Sequence, residues 1–202
     1  MDLRIGVTVD CLDETCGRLT GLVVDPRSWT VTHVVVEPPA GHARARLVPA
    51  ALVAQGGDPV LLSCPKSRWR TLQYVEEMHF VGDPSGGSVG PLLLWPYYDI
   101  LSDADVPVIV EHVPRGEVEI RPGDGVQATD GTAGRLDGVV VDADHRVTHI
   151  LLREGHLWRK KEVAIPAGSV EALAADGVHV TLTKREIADL SPWPEPRPSR
   201  MR

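Results

Sequence analysis

Residues 17–25 read GRLTGLVVD and residues 134–142 read GRLDGVVVD. Two near-identical nine-residue stretches in one chain of 202 residues mark an internal duplication. Outward from them, DLRIGVTVDCLDETCGRLTGLVVD (2–25) aligns without a gap on EIRPGDGVQATDGTAGRLDGVVVD (119–142), with 12 identities in 24 positions. Chance supplies about one or two. After a one-residue deletion, VTHVVVE (31–37) faces VTHILLR (147–153), and Gly41-His42 faces Gly155-His156. RLVPAALV (46–53) then faces VAIPAGSV (163–170), and DPVLLSCPKSRWRTL (58–72) faces DGVHVTLTKREIADL (176–190).

Each copy reads as a run of short strands. Val-rich segments such as THVVVE favour a pleated surface, because branched side chains fit it. The first strand is read around residues 7–9, and the later ones in the second copy at RLDGVVVD, VTHILLR, KEVAIP and VHVTLT. Glycines in TDGTAGR suit a turn, and Gly138 inside its strand suits a bulge or tight bend. Residues 167–173 are read as a short helix or turn, and Thr183 as the cap of a last helix, KREIADL. Many short strands at regular spacing point to an all-β class of small barrel.

The order of a turn Asp-Gly, Gly-x-x-x-Gly-x-Val-Val-Asp, Val-Thr-His and an apolar strand ending in Pro resembles the PRC-barrel family. Residues 129–166 carry the resemblance most fully; the first copy lacks a counterpart of Leu157-Trp158. The resemblance covers both copies. It implies two small, mostly antiparallel β-barrels in tandem, in the form common in bacterial tandem proteins, with short helical turns and a structured connector. The family includes the cytoplasmic domain of the photosynthetic reaction-centre H subunit and the C-terminal part of a ribosome maturation factor. Those roles are docking and assembly, without shared catalytic residues. The boundaries expected are 1–72 for the first repeat, 73–116 for the connector, 117–190 for the second repeat and 191–202 for a disordered Pro-rich tail.

Net charge is −7, which argues against nonspecific nucleic-acid binding. The acidity is concentrated in residues 73–121, with nine acidic against two basic side chains. The connector also holds two alternating stretches, VEEMHFV (75–81) and VPVIVEHV (106–113), and the most apolar run of the chain, PLLLWPYYDIL (91–101). That run reads as shared core between the repeats, as an anchor for a partner or a second copy, or as a membrane-surface insertion, against which the surrounding acidic charge argues. No apolar run approaches the ~20 residues of a spanning helix, and residues 1–15 lack a signal-peptide core. A cytoplasmic protein without a membrane span is expected. Cys11, Cys16 and Cys64 fit no common zinc or haem spacing and are expected as reduced thiols.

No nucleophile–base pair, phosphate loop or metal-ligand spacing is read, so no catalytic residue, metal or cofactor is assigned. His33 and His149 share a repeat position, and with Gly17, Gly21, Asp25, Gly134, Gly138 and Asp142 they are expected to serve architecture. The interface is expected around Trp158, Arg159, Lys160 and Lys161, and around Leu94, Trp95, Tyr97 and Tyr98. Lys66, Arg68 and Arg70 around Trp69 form a second basic–aromatic group. The reading that follows is a non-catalytic adaptor whose partner is another protein, with homodimerisation through PLLLWPYYDIL as a further option. An RNA- or ribosome-associated assembly factor is the second reading.

Overall fold

The computed structural model describes residues 1–39, 44–81, 106–111, 113–121, 123–154, 161–174 and 177–193. The first repeat contains β1 (Asp2–Arg4), β2 (Thr8–Asp10), β3 (Thr15–Asp25), β4 (Thr30–Glu37), β5 (Arg46–Pro49), β6 (Val53–Gln55), β7 (Val60–Leu62) and helix α1 (Lys66–Trp69). The connector supplies β8 (Glu76–Val81) and β9 (Val106–Glu111). The second repeat contains β10 (Val118–Ile120), β11 (Gly125–Ala128), β12 (Gly131–Val141), β13 (Val147–Glu154), β14 (Lys161–Pro166), β15 (Val170–Ala174), β16 (Gly177–Val180) and helix α2 (Lys184–Ala188).

Two seven-stranded sheets result, and they have the same plan. One runs β5-β4-β3-β2-β7-β6 and the other β14-β13-β12-β11-β16-β15. The ends of each path do not pair with one another, so neither sheet closes on itself among the described residues. The bulges expected at the repeated glycine lie between Leu19 and Gly21 and between Leu136 and Gly138. Residues 167–173, read as a helix or turn, divide instead into a single 3-10 turn (Ala167–Ser169) and strand β15. β8 and β9 form the expected strands and pair with each other as a separate antiparallel ribbon.

The seventh strand of each sheet comes from the other repeat. β1 pairs antiparallel with β12, placing Leu3 opposite Val139 and Arg4 opposite Gly138. β10 pairs antiparallel with β3, placing Ile120 opposite Leu22. The turns after β3 and β12 also meet: Val31 N–H donates to the His145 carbonyl at 2.9 Å, and Val147 N–H to the Trp29 carbonyl at 2.7 Å. Trp29 and His145 occupy the same repeat position and share a left-handed backbone, at φ 55° and 61°. Exchange of strands and turns fuses the repeats around one apolar cluster, which includes both Leu3 and Ile120. Each small repeat alone would bury limited surface, and fusion removes more of it from water.

The outer edges of β5 and β14 are covered in the same way. Leu47 N–H donates to the Gln73 carbonyl and Arg46 bridges Tyr74. Across the duplication, Val163 bridges Pro192 and Trp193 N–H donates to the Glu162 carbonyl at 2.8 Å. Trp193, placed in a disordered tail on sequence grounds, is thus an edge-covering residue. Covered edges cannot template pairing with another sheet.

Cys11 and Cys16 form a disulfide across the β2–β3 turn, with Cα atoms 5.7 Å apart, while Cys64 is a buried free thiol. This corrects the expectation of three reduced thiols, because the turn brings the first two side chains together. Their repeat counterparts are Ala128 and Ala133, and the second turn folds with the same contacts. Leu12 N–H donates to the Cys64 carbonyl and Thr129 N–H to the Leu182 carbonyl, both at 3.1 Å. The Cys11→Ala/Cys16→Ala variant is therefore expected to keep the fold and lose about 2 kcal/mol of stability. Equilibrium unfolding under oxidising conditions measures the loss. Thiol titration of the unfolded wild type without reductant should find one reactive group.

Candidate functional site

The residues repeated in both halves do architectural work in both. Asp13 accepts the Lys66 N–H at the start of α1, and Asp130 accepts the Lys184 N–H at the start of α2, each at 2.8 Å. At α2, Thr183 is the cap expected from sequence, and with Glu186 it forms a reciprocal capping box. Asp25 accepts from Arg27 N–H and the Ser28 hydroxyl, and the Arg27 N–H first among these holds its carboxyl below the ordinary value. Asp142 organises its own turn by accepting from Asp144 and Arg146 N–H at 2.9 Å. A Cβ on Gly17 would collide with the Glu37 carbonyl, and one on Gly134 would lie 2.8 Å from the Arg153 carbonyl oxygen. Gly21 and Gly138 sit where the exchanged strands cross β3 and β12.

His33 and His149 are held by the preceding threonine. The Thr148 hydroxyl donates to the Val140 carbonyl at 3.1 Å, and His149 Nδ1 lies 3.1 Å from the same hydroxyl. His33 repeats this with Thr32 at 3.0 Å, and Thr32 in turn donates to Glu117. Burial pushes the His33 pKa down, opposed by the Glu117 charge. Among the described residues no group of three His, Cys, Asp or Glu side chains could hold a metal ion.

The two halves differ in what they carry on the outer sheet faces. On the first sheet, Val23, Val35 and Leu47 are sealed by Val75 and Val113 at the two ends of the connector. On the second, Arg4 of the exchanged strand donates to Glu162 at 2.7 Å, and Arg153 pairs with the buried Asp137. Burial pushes the Glu162 carboxyl up, with the Arg4 charge the main opposing influence. Arg4 Nε and Nη2 and Glu162 Oε1 are buried without a hydrogen-bond partner.

A third feature is a stack of cations and rings at the edge of the first sheet. The Arg46 guanidinium lies 4.3 Å from the Tyr74 ring centre and 5.5 Å from that of Trp69, and Arg44 lies 5.8 Å from Tyr74. Trp69, singled out in the sequence with its basic neighbours, is 3% exposed and belongs to the core. The sequence signal of Lys66, Arg68 and Arg70 thus located the right region, while Arg44, Arg46 and Tyr74 were missed because they come from other segments.

An open cleft of about 390 Å³ lies on the seam between the halves, bordered by Met1, Val53, Ala54, Val141, Ala143 and His145. It brings no nucleophile near a base. Of the sequence-predicted interface, Lys161 opens β14. Trp158, Arg159, Lys160, Leu94, Trp95, Tyr97 and Tyr98 lie outside the described residues, as do His42 and His156. Among the described residues no helix is long and apolar enough to cross a membrane. No protein-family model matches the chain, and no curated protein matches it significantly.

Proposed function

We propose that this chain is a non-catalytic protein-interaction module built from two PRC-type barrels fused into one scaffold. The single observation behind this reading is the division of labour between repeated and unrepeated residues. Three recurring pairs, Asp13/Asp130, Asp25/Asp142 and His33/His149, are each engaged in a turn, a cap or a strand contact in both halves. The unrepeated residues gather at sheet faces and edges, where a partner would meet them. A rigid duplicated core with two differently dressed faces suits an adaptor, which needs positioned surfaces more than a reactive centre. The resemblance of residues 129–166 to the PRC-barrel family supports the same reading, since that family docks and assembles.

The test is affinity capture with the full chain from its own cells at low and high salt. A stoichiometric protein companion that survives high salt is expected. Companions dominated by RNA and ribosomal proteins, and lost at high salt, would replace this reading with the ribosome-associated one. Absence of any companion would overturn both.

A further inference from the structure

The basic–aromatic stack at the edge of the first sheet gives the interaction reading its partner chemistry, and rests on that reading. Arg46 is half-buried between Trp69 and Tyr74. Its Nη1 donates to the Leu72 carbonyl at 2.5 Å and its Nη2 to the Tyr74 hydroxyl at 3.1 Å. Both acceptors are neutral. No carboxylate among the described residues pairs with Arg44, Arg46, Arg68 or Arg70, whereas Arg4, Lys66, Arg121 and Arg153 each have one. Arg44, Arg68 and Arg70 are exposed. Four cations without an ion-pair partner among the described residues lie in one region of a chain of net charge −7. A partly desolvated guanidinium without a counter-charge is costly, and an arriving carboxylate relieves that cost.

The duplication shows that the fold does not require these cations. The counterparts of Arg46, Trp69 and Tyr74 are Val163, Ile187 and Pro192, and Val163 and Pro192 make the same edge bridge as Arg46 and Tyr74. The scaffold thus closes this edge with apolar residues in one half and carries a cation stack in the other.

We propose that the surface of Arg44, Arg46, Arg68 and Arg70 around Tyr74 docks an acidic segment of a protein partner. Arg46 is the centre of the site, held by Leu72 and Tyr74, and the three exposed arginines are its rim. The ring geometry favours a peptide over a nucleic acid. Trp69 is buried, and Tyr74 already has Arg44 and Arg46 within 6 Å of its ring centre, so among the described residues of this surface neither ring is free of a cation for base stacking.

The full chain would be titrated with a fluorescent Glu-rich peptide and, separately, with a single-stranded RNA of equal charge, at low and physiological salt. Arg44→Glu/Arg70→Glu changes only exposed side chains, and Arg135→Glu on the second repeat is the control. Peptide binding that falls with salt, weakens about tenfold or more in the double variant and is unchanged in the control is the expected result. No peptide binding, equal binding by the double variant, or tighter binding of the RNA would overturn it. If the double variant still retains the captured protein companion in full, this surface is excluded while the interaction reading stands. If capture yields no protein companion, the interaction reading itself falls.

Discussion

Gly138→Val unseats the exchanged strand β1 and destabilises the protein by about 3 kcal/mol or more. A Cβ at position 138 would collide with the Leu3 carbonyl oxygen and stand 2.8 Å from Arg4 Cα. Both obstacles are backbone, so no side-chain rotation relieves them. β1 must move off β12, which removes ladder hydrogen bonds, draws fully buried Leu3 out of the shared core and separates Arg4 from Glu162. The loss corresponds to a fall of roughly 6–12 °C in Tm. Gly21→Ala, at the matching position, should cost less, because its nearest obstacle at 2.9 Å is the end of the Glu119 side chain. Gly168→Ala meets nothing within 4 Å and should be close to neutral. Urea unfolding of the three variants orders them. Equal stability of Gly138→Val and Gly168→Ala would show that β1 does not occupy this place on β12.

Arg4→Met destabilises by about 3–5 kcal/mol at neutral pH, because it strands the Glu162 carboxylate in a buried site. Both side chains are largely buried, with side-chain exposures of 12% and 13%. The sign of the pH dependence follows from the direction of the Glu162 shift. Burial raises its folded pKa above the unfolded value, so its favourable contribution is complete below the ordinary carboxyl pKa and is lost as pH rises through the raised one. Removing Arg4 removes the main charge opposing that rise. The cost of Arg4→Met should therefore shrink as pH falls through the raised Glu162 pKa, above the ordinary carboxyl value, where the buried carboxylate takes up its proton. Glu162→Gln keeps an acceptor for Arg4 and should flatten the profile in the same window. Arg4→Met/Glu162→Met should recover most of the single-variant loss, since two apolar side chains replace an ion pair with unpartnered buried atoms. Unfolding free energies across pH 4–8 for the four proteins decide this; an additive double variant would show that the pair is not coupled.

The legible part of the candidate site was the part written in one segment. Lys66, Arg68 and Arg70 flank Trp69 in sequence, so a basic–aromatic group could be read there. Its centre could not: Arg46 stands on β5 and Tyr74 in the segment that covers β5, and only sheet edge pairing brings them together. Trp69 looked available and is buried, because α1 lies against β3 with that side chain turned into the core. The charged group on the second sheet was hidden for the same reason. Arg4 and Glu162 are 158 positions apart and meet only because β1 crosses to the other repeat.

The duplication, the all-β class, the position of each bulge glycine, the capping of α2 by Thr183 and the two strands of the connector were all written in the chain, because each depends on local pattern. The exchange of β1 and β10 was decided by the tertiary structure alone. DLR at 2–4 and EIR at 119–121 are near-copies, and so are the strands that receive them. Either strand fits either sheet by pattern, so the repeat that reveals the fold also conceals which copy completes which sheet. Glu162, whose counterpart on the first sheet is Ala45, gives the second sheet an ion-pair partner that the first lacks; the arginine that meets it is Arg4, while Arg121 at the same repeat position pairs with Glu119.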